Sequence, residues 1–330
     1  MKKVAVLGAT GAVGREMLKV LEERNFPVSE LVPLASKSSA GSTVLFRGEQ
    51  IAVRDANERA FQGADIVLGA VANAFSKAFA PAILEAGAVY VDNSSAFRMN
   101  AEVPLVVPEI NPEDAKLHKG IIANPNCSTI IALVAVNAIN ALSPIQSMVA
   151  ATYQAVSGAG AGGTAELEAQ MRAWAVGEEP KKAVFPYQIA FNLIPQIGDF
   201  QENGYTSEEM KMQNEGRKIM HLPELNVSCT CVRVPVWRSH SIAITLKTQQ
   251  RLELLCVREA IAGAKGCRLV DEAQERRYPM PLETSDQDLV FVGRIRRDLT
   301  SDNGISLWCC GDQVRKGAAT NAVQIAELLD

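Results

Sequence analysis

The sequence predicts an α/β protein of two domains: a parallel sheet covered on both faces, then an α+β domain built on a mixed sheet. Three observations predict it. Short apolar runs alternate with helix-period segments through the first third of the chain, as in strands joined by helical crossovers. Beyond that, β-branched stretches with period-two alternation take over and helices thin out, which suits an antiparallel or mixed sheet. The length, 330 residues, exceeds what one hydrophobic core usually supports.

Residues 3–7 read as a buried strand, followed by a glycine turn and a helix through Met17, Leu18 and Leu21. Runs 31–34, 51–53 and 64–71 are the next strand candidates. Residues 75–86 read as a helix that Pro81 breaks or restarts and Gly87 ends. Strands follow at 88–91 and 121–123, then a helix at about 128–141. The second region carries strand-like runs at 146–156, 227–236, 239–248, 289–295 and 305–309. Residues 317–329 close the chain as an amphipathic helix with Ala318, Ala322 and Ile325 on its apolar stripe. Stretches 177–182 and 196–207 read as polar surface excursions.

Net charge is −4 without a block of like charges, which argues against a nucleic-acid or anionic-membrane surface. No apolar run reaches the roughly 18–20 residues of a spanning helix. The first apolar run ends too early, at Gly8, for a signal core. A cytoplasmic protein is expected. The seven cysteines are an odd number without zinc-site spacing, so reduced thiols, most of them buried, are the natural reading. Cys229 and Cys231, two apart in a strand-like run, face one side of a sheet.

The turn Gly8-Ala9-Thr10-Gly11-Ala12-Val13-Gly14 joins the first strand to the first helix. Glycines there permit a tight turn, close approach of backbone N–H groups to a pyrophosphate, and close helix–strand packing. The helix N-terminus favours the phosphate charge. As the first βα turn of an alternating series, this predicts a Rossmann-type dinucleotide-binding domain; the competing reading is a turn used only for packing. The second strand runs into Ser36, Lys37, Ser38 and Ser39 without a carboxylate for a ribose 2′-hydroxyl. Hydroxyls and a lysine suit a 2′-phosphate, hence NADP; the alternative is a plain serine-rich loop.

Asn124-Pro125-Asn126-Cys127-Ser128-Thr129 follows an apolar strand and precedes an apolar helix. A cysteine at the positive end of a helix is stabilised as thiolate. Cys127 is thus a candidate nucleophile, against the reading of a buried capping thiol. Its base must be one of three histidines. His118 lies in a polar connection and His221 closes a charged helix. His240 starts an alternating strand, seven positions after Arg233 on the preceding one. Two strands joined by a short connection would bring both to one site; spacing alone leaves a structural His240 equally open.

The run 124–129 resembles the nucleophile motif of aspartate-semialdehyde dehydrogenases. Thr152-Tyr153-Gln154-Ala155-Val156-Ser157-Gly158-Ala159-Gly160 resembles another segment of that family, as do the runs 192–198, 207–211, 233–236 and 315–322, in family order. The resemblance implies a glyceraldehyde-3-phosphate-dehydrogenase-like plan. Residues 1–127 would form the dinucleotide-binding domain, completed by a C-terminal helix at 312–330, and residues 128–311 a catalytic and dimerisation domain. It implies Cys127 as nucleophile, His240 as general acid/base and Gln154 as the residue positioning the acyl-enzyme. Arg233 would pair with the substrate α-carboxylate, Glu208 with its amino group, and Arg98, Asn126 and Lys211 with phosphate. Ser157, Gly158 and Gln313 would join Gly8, Thr10, Gly11, Ala12, Val13, Gly14 and the 36–39 loop at the cofactor. The implied substrates are aspartate semialdehyde, phosphate and L-aspartyl 4-phosphate, and the implied assembly is a homodimer.

Chemistry supports several of these roles separately. Arginine pairs bidentately with carboxylates. A helix places Glu208 and Lys211 on one face, and Thr206 with Glu209 forms a capping box that leaves Glu208 free. A surface ion pair is the competing reading of Glu208 and Lys211. The chain departs from the family at 71–76, where Asn73 and Phe75 add bulk to an expected Gly/Ser-rich turn, and at Ile131, where glutamine is common. N-acetyl-glutamyl-phosphate reductases share the chemistry but lack an amine-binding acid, which Glu208 would supply.

Overall fold

The computed structural model describes residues 1–329. The chain divides into two compact units, residues 1–126 with 317–330, and residues 127–316. Residues 312–316, expected with the C-terminal helix, thus fall in the second unit.

In the first unit the βα series appears as expected. Strands β1 (Lys2–Leu7), β2 (Val28–Ala35), β5 (Arg54–Asp55), β6 (Ile66–Gly69), β7 (Val89–Asp92) and β8 (Ile121–Ala123) form one sheet in the order β5-β2-β1-β6-β7-β8, every pair parallel. Helix α1 (Ala12–Glu23) buries Met17, Leu18, Val20 and Leu21 against the sheet's Val4, Val6 and Leu68. The run at 51–53 does not join the parallel sheet. It belongs to a separate hairpin of β3 (Thr43–Phe46) and β4 (Glu49–Ala52). Arg47 and Gly48 between them both take positive φ, 51° and 80°, the backbone a two-residue hairpin turn demands.

Pro81 does not break its helix. Helix α2 (Asn73–Glu85) passes through it. The cost is one lost backbone hydrogen bond to the carbonyl of Lys77, an exposed residue where water reaches.

The C-terminal helix (Thr320–Glu327), preceded by a π-helical turn at Arg315–Ala319, packs Ala322, Val323, Ile325 and Ala326 into the same core. Its buried Asn321 donates through Nδ2 to Val106 O at 3.0 Å and Asn124 Oδ1 at 2.6 Å. Asn124 Nδ2 donates to Asn93 Oδ1 at 2.5 Å. Arg98 donates to the backbone carbonyls of both, Asn124 from Nε and Asn93 from Nη2, each at 2.9 Å. An amide chain therefore ties the C-terminal helix to the Arg98 loop. Removing one partner of a buried hydrogen bond strands the other. Asn321→Ala is expected to lower unfolding free energy by about 2 kcal/mol, read from the urea midpoint; an unchanged midpoint would remove Asn321 from the network.

The second unit is built on strands β9 (Ile145–Gln154), β10 (Asn226–Arg233), β11 (His240–Thr248), β12 (Cys267–Leu269), β13 (Val290–Arg297) and β14 (Gly304–Gly311), in the order β10-β9-β11-β14-β13-β12. The sheet is mixed: β9/β10 and β12/β13 are parallel, the other pairs antiparallel. Helix α3 (Cys127–Leu142) lies along one face, with Ser128 through Val136 all buried. Helices α4 (Gly160–Ala175), α5 (Ser207–Ile219) and α6 (Leu254–Gly263) complete the unit. On the other face the Tyr153 and Trp308 rings lie 5.5 Å apart between centroids, tilted by 43°, and Val149 is 60% exposed. Cys229 and Cys231 do share a face, with sulfurs 3.7 Å apart. Among the described residues no helix is long and apolar enough to cross a membrane.

Candidate active site

Strand order settles how Arg233 and His240 meet. They are not on neighbouring strands, as a short connection suggested. The long β9 lies between β10 and β11. Gln154 ends β9, its parallel partner Arg233 ends β10, and antiparallel β11 begins with His240. Three side chains from three strands thus collect at one end of the sheet, on the face that α3 covers.

Cys127 is the first residue of α3, where the helix dipole favours negative charge. Its Sγ lies 3.5 Å from His240 Nε2. His240 is fully buried. Burial, then the charge of Arg233, pushes its pKa down to about 3, with Glu208 opposing. Both influences favour the neutral imidazole. His240 Nδ1 accepts the backbone N–H of Ala155 at 3.1 Å.

Gln154 is held at both ends of its amide. Its Oε1 accepts from Thr152 Oγ1 at 3.0 Å and its Nε2 donates to Glu208 Oε1 at 3.2 Å. Glu208 also accepts from Lys211 Nζ at 2.8 Å. The capping box of α5 is present, with Thr206 and Glu209 bonded reciprocally. Glu209 Oε1 further accepts the N–H of Cys231 at 2.9 Å, tying α5 to β10. Glu208 is thereby left to face Gln154. The Glu208–Lys211 pair is not a surface pair, since the Glu208 side chain is only 10% exposed.

Arg233 is buried and donates through Nη1 to Ala155 O at 2.6 Å. Its guanidinium lies 5.8 Å from the Phe185 ring centroid. Burial is the largest influence on it and weakens its hold on the proton, while the nearby Cys127 and Glu208 strengthen that hold.

Gly158 has no room for a side chain. An added Cβ would sit 2.9 Å from Arg233 Nη1 and 3.2 Å from His240 Cε1. Gly158→Ala is expected to cost about 10- to 100-fold in kcat/KM by displacing both groups, with little change in melting temperature. Parent-like kinetics would mean that neither group's position matters. Beside it, Ser157 Oγ accepts from Gln313 Nε2, and Gln313 Oε1 accepts the Ser239 N–H at 2.9 Å.

The first unit contains a cavity of about 420 Å³ lined by Gly8, Thr10, Gly11, Ser36 and Lys37, with Asp55, Phe75 and Phe79. Gly8 is required: φ is +88°, and a Cβ would lie 2.4 Å from Ala70 O. Gly14 serves packing, its hypothetical Cβ lying 2.1 Å from Gly8 O. Ala12, Val13, Gly14, Ser38 and Ser39 do not line the cavity. Asp55 arrives on β5, paired beside Ala35, sixteen residues beyond Ser39, so the loop's own sequence does not show it. Phe75 is 60% exposed, while Asn73 accepts the Ser95 N–H at 3.0 Å. Arg98 and Asn126, both buried, belong to this unit.

Family models described as "Semialdehyde dehydrogenase, NAD binding domain" and "Semialdehyde dehydrogenase, dimerisation domain" match residues 3–118 and 137–316. An aspartate-semialdehyde dehydrogenase of Synechocystis sp. is 51% identical over 99% of this chain and 97% of its own. One from Aquifex aeolicus is 52% identical over the same shares. The crystal structure of aspartate semialdehyde dehydrogenase II from Vibrio cholerae complexed with ASA superposes with a TM-score of 0.97 at 44% identity, covering 100% of this chain and 98% of that one.

Proposed function

The chain belongs to the aspartate-semialdehyde dehydrogenase family, and from that premise we propose that it interconverts L-aspartyl 4-phosphate and L-aspartate 4-semialdehyde through a thioester on Cys127. The carrying observation is the Cys127 sulfur at the start of a buried helix, 3.5 Å from the His240 imidazole.

In the reductive direction the Cys127 thiolate attacks the acyl carbon and phosphate departs, leaving the thioester. Arg233 holds the substrate α-carboxylate, because a buried guanidinium offers a fork that a carboxylate matches. Glu208 holds the amino group. Gln154, fixed between Thr152 and Glu208, orients the acyl group. Lys211 receives the phosphate; Arg98 and Asn126 are assigned to it by the family resemblance alone.

The first unit fits a dinucleotide. Its cavity takes in the uncapped N-terminus of α1 and a Gly8 that admits no side chain, the features a pyrophosphate needs. Lys37 and Ser36 support NADP; Asp55 at the same cavity is what favours NAD. When bound, the nicotinamide supplies the hydride chemistry. Ser157, Gly158 and Gln313 are assigned to its reactive end. The second unit carries catalysis and pairs two copies through the exposed sheet face bearing Val149, Tyr153 and Trp308. The enzyme works in the cytoplasm, and its product feeds lysine, threonine and methionine synthesis.

The test is NADPH formation from L-aspartate 4-semialdehyde, with and without phosphate, beside N-acetylglutamate semialdehyde and with NAD⁺ in parallel. Activity with the first aldehyde, absent without phosphate and at least about tenfold higher with NADP⁺, is expected. Equal use of the acetylated aldehyde overturns the substrate reading, and preference for NAD⁺ the cofactor reading.

A further inference from the structure

Both ring nitrogens of His240 face definite neighbours. Nδ1 lies 3.1 Å from the backbone nitrogen of Ala155, while Nε2 lies 3.5 Å from Cys127 Sγ and 3.5 Å from the Gln154 amide nitrogen. A backbone N–H can only donate, so Nδ1 must present its lone pair. The Gln154 amide nitrogen has two hydrogens and places one on Glu208 at 3.2 Å; its approach to Nε2, at 3.5 Å, is the longer and weaker contact. A neutral ring that accepts at Nδ1 carries its proton on Nε2.

We propose that the Ala155 amide locks His240 as the neutral Nε2–H tautomer, so that the imidazole serves Cys127 as a hydrogen-bond donor and not as the cation of an imidazolium–thiolate pair. The catalytic meaning rests on Cys127 being the nucleophile; the tautomer itself does not.

The surroundings agree. Cys127 faces the ring from α3, Arg233 from β10, and Glu208 from α5 with Lys211 bound to it; β9 contributes the uncharged Gln154. An imidazolium would set a second buried cation near Arg233 and point an N–H at the Ala155 N–H. The structure thus holds charge on the sulfur through the α3 N-terminus, Arg233 and a neutral donor.

The chemistry accommodates this. Adding the thiolate to a carbonyl forms the C–S bond and moves the π pair onto oxygen. The resulting alkoxide needs a donor and no proton. The Nε2–H that first meets the sulfur can turn to that oxygen, as a neutral histidine does when it acts as an electrophile. The Ala155 amide is then a positioning group and Nε2–H the catalytic one.

Imidazole nitrogen spectra test this. The full chain, labelled with ¹⁵N-histidine, is examined by long-range ¹H–¹⁵N correlation from about pH 6 to 9, a range that spans the ordinary histidine pKa. It has three histidines, and His118→Gln and His221→Gln assign the signals by elimination. His240 is expected to show an unprotonated Nδ1 and a protonated Nε2 at every pH. Two protonated nitrogens at neutral pH, or a proton on Nδ1, overturn the proposal.

Ala155→Pro supplies the second arm. Ala155 has φ −60°, within the range proline imposes, so the backbone accepts the change, which removes the N–H and sets the proline Cδ where that hydrogen met Nδ1, pushing the ring off its acceptor position. The His240 signals should then titrate nearer neutrality, and alkylation of Cys127 by iodoacetamide should gain a pH dependence in the same range. An unchanged His240 spectrum in a folded variant overturns the proposal; if the variant does not fold, the parent spectra decide. Turnover surviving Cys127→Ser would defeat the thioester reading while leaving these spectra as they are.

Discussion

Purified Cys127→Ser is expected to keep a melting temperature within a few degrees of the parent while its turnover falls by at least about a thousandfold. The substitution is nearly isosteric, and Cys127 is only partly buried, so packing barely changes. Reactivity changes greatly. The site lowers the cost of negative charge at position 127 through a helix N-terminus, Arg233 and the His240 ring. A thiol, whose ordinary pKa is near 8.5, gives up its proton far more readily than an alcohol. With a neutral imidazole no strong base stands beside the hydroxyl to take its proton. Single-turnover kinetics with mass spectrometry of the acyl-enzyme check both halves. Appreciable turnover by the serine variant would end the covalent mechanism.

Arg233→Lys is expected to lower kcat/KM for L-aspartate 4-semialdehyde by about a hundredfold, equivalent to ~2.7 kcal/mol. Lysine keeps the charge but loses the fork, so one contact replaces a bidentate pair. It also loses the reach of Nη1 to Ala155 O. Burial at this position further favours a neutral amine. The informative comparison uses an aldehyde without an α-carboxylate, on which parent and variant should converge. Equal losses on both substrates would make Arg233 a structural residue; no loss on either would remove it from the site.

Much of this arrangement was legible beforehand where the signal was local. The glycine turn at 8–14, the helix starting at Cys127 and the capping box of Thr206 with Glu209 each depend on residues within a few positions of one another. The shared face of Cys229 and Cys231 follows from the two-residue period of a strand. Helices α4 and α6 went unread because glycines at the start of one, and a short mixed pattern in the other, blur the 3.6-residue period. The strand at 49–52 pairs in a hairpin and not in the parallel sheet, which its pattern alone does not reveal because a strand's pattern does not name its partner.

Residue order along the chain marked the alternating βα series, most strands of the mixed sheet, the glycine turn before α1 and the cysteine at the start of α3, because turn geometry, capping and helix dipoles act over one or two turns. Only the folded arrangement decided that β9 separates β10 from β11, that Gln154 stands between Arg233 and His240, and that Asp55 reaches the cavity beside Lys37. The folded arrangement also placed the Ala155 amide on the imidazole and left Gly158 no room for a methyl group. These depend on strand pairing and close packing between residues tens of positions apart, which minimise exposed apolar area and unpaired backbone groups over the whole chain and leave no trace in any short window of it.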